Sequence, residues 1–170
     1  MALNNGTSLE ELIGRQKPGF ALEQPFYGDD EIFRLDLDRI VARQWLYVDH
    51  VSRLPEVGDY MLYRIAGEEI IVVRAEDGEI HAHYNVCRHR GSRVCLADEG
   101  NALRLVCPYH AWTYALDGSL VAARSMPEGF DKADYPLHRC HARVHEGLIF
   151  IILAEGEASD FGVIAGNLAP

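Results

Sequence analysis

Positive charge is what this chain has least of: 16 Lys and Arg stand against 26 Asp and Glu, a formal net charge of -10 over 170 residues. Phosphate contacts need clustered Lys and Arg, so this balance argues against nucleic acid as a partner. Long apolar runs are missing as well, and no segment is long enough to span a bilayer. The opening Met1-Ala2-Leu3-Asn4-Asn5-Gly6 carries neither a basic stretch nor an apolar segment, which argues against a secretory signal and for a cytoplasmic location. Internal repeats and low-complexity tracts are absent. Cysteine is limited to four residues, of which Cys95 and Cys140 read as small, buried, unreactive side chains in a reducing compartment. What is present suits a globular domain, at 48% hydrophobic and 25% charged, enough to bury a core.

The other two cysteines belong to a pattern. Cys87 and His89 form Cys-x-His and, after residues 90–106, Cys107 and His110 form Cys-x-x-His. Two thiolates on one iron and two imidazoles on its neighbour are the ligand set of a mixed 2Fe-2S centre. Cys2His2 is also a tetrahedral zinc set, but zinc knuckles usually pair cysteines two to four residues apart, and the first pair here is Cys-x-His with one spacer. Such close spacing needs a sharp turn, which Gly91 permits. Pro108 fixes the backbone of the second loop.

The segments Cys87-Arg88-His89-Arg90-Gly91 and Cys107-Pro108-Tyr109-His110-Ala111-Trp112-Thr113-Tyr114 resemble the cluster-binding loops of Rieske non-heme iron oxygenases, and the resemblance extends over nearly the whole chain. It implies a mainly β, antiparallel Rieske-type domain with the 2Fe-2S cluster on two hairpin loops, ligated by Cys87, His89, Cys107 and His110. Imidazole for thiolate makes the cluster less negative and raises its potential relative to an all-cysteine cluster. Respiratory Rieske proteins carry a serine two positions after the last histidine; Trp112 stands here, which points to the low end of the range of about -150 to +300 mV. Respiratory domains also join their loops by a disulfide, whereas Tyr109 fills the second-loop position in this chain. Arg90 and Trp112 are candidates for packing and support around the loops.

Hydrophobic periodicity sets out the elements. Ser8-Leu9-Glu10-Glu11 fits a capping box. Asp29 is a candidate N-cap, followed by Phe33, Leu37, Ile40, Val41, Trp45 and Val48 as the stripe of an amphipathic helix. From Gly58 the period becomes that of strands: residues 60–65, a turn at Ala66-Gly67, 70–73, a turn at Asp77-Gly78, 80–84, 103–106, 112–115, a turn at Asp117-Gly118, and 148–153. The expected organisation is a helical N-terminal extension over 1–50, the cluster domain over 51–158, and over 159–170 the start of a linker to a catalytic domain.

Further histidines do not match the Asp-x-x-His iron motif of the oxygenases. Asp134, His138, His141 and His145 have the wrong spacing for a 2-His-1-carboxylate site and read as surface or strand residues, as do His81 and His83. The resemblance therefore implies a mononuclear Fe(II) in a catalytic domain outside this sequence, reduced through the cluster by an NAD(P)H-dependent flavin reductase or a ferredoxin. It also implies a trimeric homo-oligomer with electron transfer between subunits. Acidic patches could help a reductase find the surface. The phrases Cys87 through Cys95 and Tyr109 through Leu120 look most similar to the branch that oxidises quaternary ammonium compounds, including betaine demethylases and monooxygenases. An aromatic ring-hydroxylating dioxygenase α subunit is the next reading. A free-standing Rieske ferredoxin is a third, disfavoured by more than fifty residues ahead of the first clear strand.

Overall fold

The computed structural model describes residues 6–153 and 156–168. The chain divides into two compact units between Gln44 and Trp45.

The first unit is helical. α1 (Leu9–Gly14) opens with the expected capping box: Glu11 N–H donates to Ser8 Oγ at 3.1 Å and Ser8 N–H to Glu11 Oε2 at 2.8 Å. Two orphan donors of the first turn are thereby satisfied. α2 (Pro25–Gly28) is a single turn. α3 (Asp30–Arg39) is capped by Asp29, whose Oδ1 accepts from Glu31 and Ile32 N–H. Leu12 and Ile32 are buried, with Leu9 and Phe26 packed against them.

The apolar stripe expected to carry one helix to Val48 is corrected. α3 ends at Arg39, a 3₁₀ turn covers Val41–Arg43, and Leu46–His50 is strand β1. Phe33 and Ile40 stay exposed while Ile32 takes the buried position. The competing partner explains the change. Leu46 and Tyr47 pair with Ile151 and Phe150 of β10 (Leu148–Ile152), so long-range ladder bonds override a local 3.6-residue period.

The second unit is antiparallel β. Its larger sheet contains β1, β2 (Asp59–Ile65), β3 (Glu68–Arg74), β4 (Ile80–Tyr84), β5 (Glu99–Asn101), β9 (Arg139–His145) and β10, in the order β1-β10-β9-β4-β3-β2-β5. The smaller sheet is β6 (Leu105–Val106), β7 (Thr113–Tyr114) and β8 (Leu120–Ala122), in that order. α4 (Gly162–Leu168) closes the described chain. Among the described residues no helix is long and apolar enough to cross a membrane.

Ile70, Ile71, Val72 and Val73 of β3 are all fully buried, as the continuous apolar run of a strand covered on both faces should be. Ile71 and Val73 share a core cluster with Leu105, Trp112, Tyr114, Leu116 and Leu120. The two sheets are thus joined through side chains of β3 and of the small hairpin. His83 of β4 adds a polar tie, its Nε2–H donating to the Leu116 carbonyl at 3.0 Å. Gly118 lies against the same ring: a Cβ there would approach His83 Cε1 to 2.6 Å, and its φ is +90°. Only glycine fits that turn.

Candidate metal centre

Two loops, one following β4 of the larger sheet and the other joining β6 to β7 of the smaller, close in the same way. In the first, Cys87 N–H donates to the Ser92 carbonyl at 2.8 Å and Gly91 N–H returns to the Cys87 carbonyl at 2.9 Å. In the second, Cys107 N–H donates to the Trp112 carbonyl at 2.8 Å and Ala111 N–H returns to the Cys107 carbonyl at 3.0 Å. Both turns reverse through positive φ at the fourth residue after the cysteine, +72° at Gly91 and +58° at Ala111. The sharp turn expected at Gly91 is present, and its counterpart at Ala111 is held by a residue with a Cβ.

The same closure presents different side chains. Cys87 and Cys107 are each 2% exposed and share one core cluster, near enough that Cys107 raises the Cys87 thiol. The rings of His89 and His110 lie 4.6 Å apart, edge to face, with His89 half-buried and His110 exposed. All four residues singled out by spacing therefore converge as a buried sulfur pair beneath a more accessible nitrogen pair. Two sulfur donors beside two nitrogen donors fit the chemistry of a binuclear centre, which asks two sulfur ligands of one iron and two nitrogen ligands of the other.

The protonation chemistry of the donors follows from their surroundings. Burial pushes the Cys87 thiol up, opposed by the Tyr114 hydroxyl and the His89 backbone, and the adjacent Cys107 raises it further. Desolvation, then the neighbouring charges of His110 and Arg90, hold His89 below the ordinary imidazole range. A neutral imidazole is the ligand form.

Residues that spacing did not reveal support these loops. Tyr114, fully buried, places its hydroxyl 3.3 Å from Cys87 Sγ and accepts the Arg88 N–H at 3.1 Å. Asn85, 1% exposed, accepts from Val94 and Cys95 N–H at 2.9 and 2.8 Å and donates to the Cys95 carbonyl at 2.8 Å and to Glu69 Oε2 at 3.0 Å. It clasps the base of the first loop. An Asn two residues before a Cys-x-His was the available signal. Trp112 is buried, as a packing role requires.

The other histidines weighed above have other neighbours. His141 pairs with the Gly156 carbonyl at 2.6 Å, His138 approaches Arg88, and His145 packs edge-on to Phe161. His81 and His83 are buried on β4, where His81 pairs with Asp77 at 2.9 Å. Cys95 and Cys140 are buried and unpaired, and burial pushes their thiols up to about 11 and about 12. They are inert at neutral pH.

Comparison with known proteins agrees with this geometry. The profile of the Rieske [2Fe-2S] domain matches residues 44–141. The glycine betaine monooxygenase oxygenase subunit of Pseudomonas aeruginosa is 39% identical over 146 residues, covering 85% of this chain and 34% of its own. Among solved structures, the apo form of the quaternary ammonium Rieske monooxygenase CntA superposes with a TM-score of 0.78 at 35% identity, over 84% of this chain and 42% of its own. Naphthalene 1,2-dioxygenase from Rhodococcus sp. superposes with a TM-score of 0.72 at 36% identity, over 79% and 32%. The chain spans about a third of the length of the curated relatives it matches.

Proposed function

Since this chain belongs to the Rieske [2Fe-2S] domain family, we propose that it is the electron-relay portion of a Rieske oxygenase, with Cys87 and Cys107 binding one iron and His89 and His110 the other. The observation that carries the reading is the convergence of these four side chains on two loops of identical closure. A bound 2Fe-2S cluster supplies reversible one-electron transfer at a potential set by its ligands and their hydrogen bonds. The protein's part is to fix those ligands. Cys87 and Cys107 bring buried sulfur, Tyr114 donates toward Cys87, and the accessible edge of His110 faces outward, where an electron partner can approach.

The rest of the assignment concerns a longer protein. Relatives about three times as long as this chain support a catalytic portion holding a mononuclear iron, with residues 159–170 opening the connection to it. Electrons would come from an NAD(P)H-dependent reductase or ferredoxin, and the subunits would form a homo-oligomer, a trimer in our reading. A cytoplasmic location suits Cys95 and Cys140, the two thiols outside the proposed ligand set. For substrate we favour a quaternary ammonium compound, on the likeness to the betaine enzyme and to CntA. Aromatic ring hydroxylation is the second reading, supported by the likeness to naphthalene dioxygenase.

The test is chemical. Anaerobically purified chain should contain iron and acid-labile sulfide in equal amounts and give a rhombic signal in electron paramagnetic resonance once reduced. Zinc without sulfide would refute the site. For the full-length protein, oxygen uptake driven by glycine betaine rather than naphthalene would establish the substrate class.

A further inference from the structure

The two histidines of the site are not held alike. The indole of Trp112 lies flat on His89, with ring planes 8° apart and centroids 4.9 Å apart. His110 is met instead by Tyr109, an exposed residue whose ring lies 3.8 Å away and is tilted by 35°. Trp112 itself is 2% exposed and is fixed from a different part of the chain. Phe130 and Tyr135 stack on each other at 4.6 Å and meet Trp112 edge to face at 5.6 and 5.8 Å.

Protein hydrogen bonds do not orient this indole: its buried Nε1–H meets no protein acceptor among the described residues. Packing places the ring, within the core cluster it shares with Leu116 and Leu137 and against Phe130 and Tyr135, and the energy of the aromatic part depends on ring geometry and not on the N–H. On the other side of the contact, an imidazole ligand works only in the orientation its surroundings impose.

We infer that Trp112 is a positioning residue for His89, and that the Phe130–Tyr135 pair acts through Trp112 to fix the plane of that imidazole at the metal centre. This rests on the assignment of His89 as a ligand. The segment after β8 thereby takes part in the centre without contributing a ligand to it.

The test compares Trp112→Phe, which keeps a ring face but removes the N–H, with Trp112→Leu, which removes both. Phe130→Leu removes one of the rings behind Trp112. Each is purified as the holoprotein and followed by the resonance signal of its reduced cluster and by the rate at which a chelator bleaches its visible absorbance. Trp112→Leu should bleach about tenfold faster than the parent, the lower end of the loss seen when an outer partner of a metal ligand is removed, and should show displaced or broadened resonances. Phe130→Leu should move both readouts in the same direction. Trp112→Phe should restore both to within about twofold of the parent, because aromatic contact survives.

A Leu variant with the parent's signal and lifetime overturns the inference. So does a Phe variant as impaired as the Leu variant, since the N–H and not the ring face would then matter. A parent chain without iron and sulfide removes the ligand assignment and this inference together, which separates that failure from the other two.

Discussion

The Tyr114 hydroxyl lies 3.3 Å from Cys87 Sγ while accepting the backbone N–H of Arg88 at 3.1 Å. A thiolate that binds iron has no proton to give, so in the loaded site the hydroxyl would be the donor to the sulfur. That hydrogen bond strengthens as the sulfur becomes more negative and therefore favours the reduced cluster. Tyr114→Phe should lower the midpoint potential by about 60 mV, the one-electron equivalent of a tenfold change in equilibrium. Redox titration of the two proteins checks this, and equal midpoints would contradict it.

Ligand substitutions separate the four site residues from their neighbours. Cys87→Ser or Cys107→Ser should abolish the visible absorbance. His89→Cys should retain a cluster at lower potential, since an added thiolate makes it more negative. His138→Ala should leave the spectrum unchanged, because His138 neighbours the Arg88 guanidinium and is outside the ligand set we propose. Loss of colour in that variant would overturn the ligand assignment.

His83 predicts an acid limit to stability. Burial is the main cause that holds its imidazole down, to about 4, with His81 and Arg139 adding to the depression and the Leu116 carbonyl and Asp117 opposing it. Because Nε2–H donates to that carbonyl, a second proton would sit on Nδ1, which is buried without a partner. The unfolded chain takes up the proton near pH 6.5 and the folded chain does not until about pH 4. The stabilisation is complete above pH 6.5 and is lost progressively as pH falls toward 4, by up to about 3 kcal/mol. Urea unfolding across that window should show the decline. His83→Gln, which keeps a donor but does not titrate, should flatten it.

The duplicated turn gives a paired prediction. Gly91 and Ala111 share a left-handed backbone, and a Cβ on Gly91 would meet nothing within 4 Å. At Gly91 conformational strain is thus the whole cost of a side chain. Gly91→Ala should destabilise the protein by about 1 kcal/mol, and Ala111→Gly should stabilise it by about 0.5 kcal/mol after the added chain entropy is subtracted. Denaturation midpoints of the two variants should move in opposite directions.

Legibility in the sequence followed the density of local signal. The ligand pairs are short motifs with fixed spacing, and the strands at 60–65, 70–73, 80–84 and 148–153 stood out because their apolar residues are contiguous or alternate cleanly. All reappear as β2, β3, β4 and β10 with bounds shifted by no more than a few residues. β9, written Arg139-Cys140-His141-Ala142-Arg143-Val144-His145, carries too little apolar content to announce a strand and is recruited by β4 and β10 on either side. β1 was hidden in a helical period for the same reason, its pairing partner lying about a hundred residues away. Tyr114 and Asn85 escaped notice because their importance lies in hydrogen bonds across the loops, which no spacing rule encodes.

The bond from His83 to Leu116 latches the hairpin bearing Cys107 and His110 onto the strand that leads into Cys87 and His89. The two halves of the receptacle are consequently tied to one another by an ordinary hydrogen bond of the polypeptide as well as by whatever metal they grip. Cutting that tie would loosen the clamp from its hinge side, so a substitution remote from the iron ligands should make the inorganic contents easier to leach.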